Sequence, residues 1–120
     1  MTNTAFLMIL TELIKKNKIT LDSPMIIQDD FDIRPVSIVQ IDGDGDRVLT
    51  ANYCLMEENV DVNNEFLSVG EIMAHIPKTN NQIFINGVST IKPETKIYEW
   101  DSYLMDDVYI KNNVLLIEHV

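Results

Sequence analysis

Cysteine, glycine and basic residues are all scarce in this chain. Its 120 residues include one cysteine, Cys54, so no disulfide can form within it, and the paired Cys/His spacings of zinc sites are absent. Cys54 lies in the apolar stretch Tyr53-Cys54-Leu55-Met56 and reads as a small buried hydrophobe in a reducing compartment. Only 4 glycines are present, and none forms a Gly-x-Gly-x-x-Gly or P-loop cradle, which argues against nucleotide binding of that kind. No apolar run approaches the ~20 residues of a membrane span. The apolar start Thr4–Leu10 has no basic residue before it and is soon followed by Glu12, so it does not read as a signal peptide. The expectation is a cytoplasmic protein without membrane contact.

Bases are outnumbered, 9 against 19 acids, for a formal net charge of −10. Residues 1–18 carry +2, residues 77–120 carry −2, and the whole excess falls on residues 19–76, where 12 acids face only Arg34 and Arg47. Such a field repels phosphate backbones, so direct nucleic-acid binding is not expected; it attracts cations or a basic protein surface.

Hydrophobic residues make up 46% of the chain, enough for one domain spanning residues 1–120 with its own core. Phe6, Ile9, Leu10, Leu13 and Ile14 recur at helical spacing and predict an amphipathic helix over Thr4–Lys16. Thr2 or Thr4 can cap it, and Asn17 can stop it. Beyond it the pattern is β. Met25–Ile27, Pro35–Ile41, Arg47–Leu55, Gln82–Ile85, Val88–Ile91, Lys96–Trp100, Val108–Lys111 and Val114–Ile117 are strand candidates. Hairpin turns are predicted at Asp42–Asp46, at Asn86-Gly87 and at Asn112-Asn113, with a further turn at Lys92–Thr95. Ser68-Val69-Gly70-Glu71 matches a capping box opening a short helix that Pro77 stops, with Ile72, Met73 and Ile76 buried. The fold class expected is α+β. A mainly antiparallel, curved or barrel-like sheet of about six to seven strands is built from hairpins. The first helix packs on it, and a short second helix accompanies it. Exposed sheet edges in such a fold would allow a homodimer.

Motifs that could carry chemistry are few. Asp42-Gly43-Asp44-Gly45-Asp46 spaces three carboxylates as a calcium loop does, but Arg47 and Tyr53 stand where an EF-hand needs glycine and glutamate. No metal or cofactor is therefore expected, and the run reads as a solvated hairpin loop. Asp29, Asp30 and Asp32 form a second acidic cluster without a sign of the desolvation that acid–base catalysis requires. His75 and His119 have no nucleophile at a fixed spacing. The aromatics of the last third, Tyr98, Trp100, Tyr103 and Tyr109, suit either a core or an interface.

Two functions follow. The first is a non-enzymatic interaction module whose acidic residues, Asp29, Asp30, Asp32, Asp42, Asp44, Asp46, Glu57 and Glu58, dock on a basic protein surface. The second is a small ligand-binding domain or enzyme with a polar site at the mouth of the sheet, near Asp42, Asp44 and His75.

Overall fold

The computed structural model describes residues 1–28, 33–51, 66–92 and 97–119, and of 33–34, 87–92, 97–102 and 119 the backbone alone. Helix α1 is Asn3–Lys15. Thr2 caps it, its hydroxyl oxygen accepting from the Ala5 amide at 3.1 Å. At the other end Asn17 takes φ 56°. The Asn17 amide then reaches the Ile14 carbonyl at 3.0 Å and the Lys18 amide the Leu13 carbonyl at 2.9 Å. This is the Schellman arrangement, with asparagine where glycine is commoner. Phe6, Leu7 and Leu10 are buried on the inner face, while Ile9, Leu13 and Ile14 lie at its margin.

Strands β1 (Ile26–Gln28), β2 (Ile33–Asp42), β3 (Asp46–Ala51), β4 (Ile83–Lys92), β5 (Ile97–Lys111) and β6 (Val114–His119) form a closed barrel in that order. Four neighbouring pairs are antiparallel. Two are parallel: β3 with β4, and β1 with β6, the pairing that closes the ring. The ring gives each strand a partner on both sides over part of its length. The six-residue helix α2 (Val69–Ala74) lies in the β3–β4 crossover and carries the expected capping box of Ser68 and Glu71. Backbone hydrogen bonds from Val69 to Ser23 and from Gly70 to Leu21 fasten its start beside the segment that leads into β1.

Alternation decides what fills the barrel. Ile27, Leu49, Ile83, Ile85, Met105 and Ile117 are fully buried and share one core with Phe6 and Leu10 of α1 and with Val69 and Ile72 of α2. Each such side chain contributes roughly 1.5–3 kcal/mol of transfer free energy. Asn3 is the exception. It is fully buried, its amide donates to Thr79 Oγ1 at 3.1 Å, and its Oδ1 has no hydrogen-bond partner among the described residues.

The turns at Asp42–Asp46 and Asn112-Asn113 and the α1 and α2 signals agree with the structure. The Asn86-Gly87 turn does not form. Strand β4 runs straight through it: Asn86 pairs with Thr50 of β3 and Ser102 of β5, and Gly87 pairs with Asp101. A turn there would have removed the second half of β4 from β5. Ladder hydrogen bonds, each worth about 1 kcal/mol net, outweigh a local turn preference. For the same reason the expected strands Lys96–Trp100, of which Lys96 lies outside the described residues, and Val108–Lys111 are not separate: Ile97–Trp100 and Val108–Lys111 are parts of the single 15-residue β5, which is irregular between Met105 and Asp107. Helix α2 stops at Ala74, two residues short of Ile76, and Ile76 is nonetheless buried. Residues 93–95 of the Lys92–Thr95 turn lie outside the described residues. Among the described residues no helix is long and apolar enough to cross a membrane.

Candidate functional site

The acidic β2–β3 turn is tightly held. Gly43 and Gly45 have φ 54° and 123°, conformations that a side chain would strain. A Cβ on Gly45 would also approach the Asn81 side chain to 3.4 Å. The Asp46 carboxylate accepts from the Gln82 amide at 2.9 Å, which pins the turn to the start of β4. Arg47 adds a second anchor, donating from a terminal guanidinium nitrogen to the Gly45 carbonyl at 2.6 Å. Of the three aspartates, Asp46 is thus turned to structural use, while Asp42 and Asp44 are exposed. Asp29, Asp30, Asp32, Glu57 and Glu58 lie outside the described residues, as does Cys54. Among the described residues no three His, Cys, Asp or Glu side chains converge as metal ligands.

Beside this turn is a cleft of about 350 Å³, lined by Val39, Ile41, Arg47, Ala74, His75, Ile76 and Pro77. Its position follows from strand alternation. Val39 pairs with Leu49, and Ile41 with Arg47, so Ile41 and Arg47 lie on the core-facing side of the hairpin, one step beyond the last filled layer. The chain leaving α2 crosses this end and completes the wall. The cleft is therefore the mouth of the barrel. His75 lines it; Asp42 and Asp44 do not. The residue that sequence reasoning missed is Arg47. Alternation puts Arg47 on one face of β3 with Leu49 and Ala51, both buried, but the sequence alone does not say that this face turns inward. Arg47 Nε donates to the His75 carbonyl at 3.1 Å, a cation at the end of α2 where the helix dipole favours it.

A second groove, of about 360 Å³, runs along α1 between Thr4, Leu7, Met8, Thr11, Glu12, Lys15 and Lys78. On the barrel's outside, β1, β5 and β6 meet in a polar trio. The Tyr109 hydroxyl donates a hydrogen bond to Glu118 Oε1 and lies 3.2 Å from Gln28 Oε1. That hydrogen bond to Glu118, with desolvation and the negative charges of Glu118 and Asp107, pushes the Tyr109 hydroxyl up to about 12. The trio clamps three strands together.

No family model, curated protein or solved structure matches this chain.

Proposed function

We propose that this protein is a non-enzymatic, cytoplasmic interaction module that docks on a basic protein surface through its acidic β2–β3 turn. The observation that carries the reading is the pair Asp42 and Asp44, exposed at the tip of a turn that Asp46, Arg47 and the two left-handed glycines hold in place. Rigid presentation matters because a pre-ordered charged loop loses little entropy on binding. Among the described residues neither carboxylate has an ion-pair partner, the one side-chain ion pair there being Lys16 with Glu12, at 3.6 Å on α1. The sequence adds Asp29, Asp30, Asp32, Glu57 and Glu58 to the same acidic third of the chain.

The test is affinity capture with the tagged protein at low and moderate salt, repeated with Asp42→Asn/Asp44→Asn and with a distant control, Asp22→Asn. The expected result is a partner with a basic surface that is lost as salt rises, weakened by the double variant and unaffected by the control. Binding that ignores both salt and the double variant would overturn the reading, because exposed charge pairs are screened within about 8 Å at physiological ionic strength.

A further inference from the structure

We propose that the mouth of the barrel binds a single carboxylate carried on a small branched apolar group, with Arg47 as the recognising cation. This site adjoins the acidic docking turn and shares Arg47 with it, and the comparison of acid with neutral amide tests it separately.

Arg47 has five N–H donors, of which two are committed, to the carbonyls of Gly45 and His75. Those two bonds fix the guanidinium plane without satisfying its charge. Among the described residues no carboxylate lies within ion-pair distance of it. A planar cation held by its own backbone, with N–H groups left over in a cleft, is suited to bidentate capture of a carboxylate. The remaining walls are apolar: Val39, Ile41, Ala74, Ile76 and Pro77. Ile41 is 71% exposed although it stands on the core-facing side of its strand, so the mouth offers an uncovered branched surface directly opposite the cation. A volume of about 350 Å³ is near the small end of ligand pockets, which limits the occupant to a short side chain and one head group.

Charge selects among anions. The net charge of −10 and the neighbouring Asp42 and Asp44 repel any anion, and the repulsion grows with each added charge. A monocarboxylate bears that cost once, and one arginine fork can offset it; a phosphate dianion bears it twice against the same single cation. The same chemistry is offered by a free short branched acid and by the C-terminus of a peptide ending in leucine or valine.

The experiment is an amide ¹H–¹⁵N titration of the full chain with three probes: 4-methylpentanoate, its neutral amide, and an N-acetylated tripeptide ending in leucine. Saturable shifts confined to residues 39–47 and 74–77 are expected with one or both carboxylates, and none with the amide. Whichever carboxylate binds more tightly identifies the source. Arg47→Met should weaken binding roughly tenfold or more, as for loss of a charged hydrogen-bonding partner, with Arg47→Lys between the two. Should Arg47→Met fail to fold, the acid-against-amide comparison on the unaltered protein still decides. No saturable shift at millimolar acid and peptide, or equal binding of acid and amide, overturns the proposal.

Discussion

Two asparagine dipeptides in this chain look alike and behave oppositely. Asn112-Asn113 forms a tight turn, both residues at positive φ, 51° and 64°, with Lys111 and Val114 paired across it. Asn86-Gly87, whose sequence matches the favoured hairpin turn better, lies in the middle of a continuous strand. The difference is the number of neighbours. The segment around Asn112 lies at a strand's end, where the chain must reverse and local preference decides. Asn86 has a strand on each side, and its amide donates to Thr50 Oγ1 on β3 at 3.1 Å. A turn signal is thus conditional: it acts where the sheet leaves the backbone free.

The comparison breaks most severely at the core residue beside Asn86. Ile85 is fully buried and belongs to the shared core. Ile85→Ala should cost about 2–5 kcal/mol, by lost transfer energy and the cavity left behind. A denaturant melt showing less than about 1 kcal/mol would mean that β4 does not pass through the barrel wall here, and that the local turn forms after all.

A smaller effect separates the two dipeptides directly. Asn112→Ala and Asn113→Ala each place an ordinary side chain in the left-handed region, at about 1–2 kcal/mol. Asn113→Gly should hold or raise the melting temperature, since glycine adopts that region without strain. Asn86→Thr needs no unusual backbone: it loses side-chain interactions, the bond to Thr50 among them, but gains β-propensity, and should cost less than Ile85→Ala, about 1–2 kcal/mol. Thermal melts of the four variants check the order, at roughly 4 °C per kcal/mol for a chain of this size. A loss in Asn113→Gly equal to that in Asn113→Ala would erase the distinction.

The same conditionality explains what the sequence disclosed. Both helices were legible because their signals are local: Thr2 and Asn17 bracket α1, and Ser68 with Glu71 opens α2. Hairpins at Asp42–Asp46 and Asn112-Asn113 were legible for the same reason. The two parallel pairings, β3 with β4 and β1 with β6, were not, because each joins strands far apart in sequence and no short motif encodes them. With them went the closure of the barrel and the existence of its mouth. Asp42 and Asp44 could be read as exposed from composition alone. Arg47 could not be read as a cleft residue, since that depends on which side of β3 faces inward and on the chain after α2 passing over it.

The smallest predicted effect concerns the hairpin that the Asn112-Asn113 turn closes. The β5–β6 register sets Tyr109 opposite Leu116, and so brings its hydroxyl within reach of Glu118, two residues further along β6. The hydrogen bond to Glu118 raises the hydroxyl from its ordinary value of 10.0 to about 12. The folded state therefore holds this proton more tightly than the unfolded chain does. The stabilisation is complete below about pH 10 and is lost as pH rises from there through about 12. At neutral pH nothing changes, so the effect appears only in alkaline titration. In the tyrosinate absorbance, the difference between the unaltered protein and Tyr109→Phe should isolate one group that ionises at about 12. Glu118→Gln removes the charge and replaces a strong acceptor with a weaker one, which should bring the midpoint of Tyr109 down toward 10. An unmoved midpoint in Glu118→Gln would mean that the two side chains are not paired across β5 and β6. The register that the asparagine turn imposes on this hairpin would then be one that the turn alone does not fix.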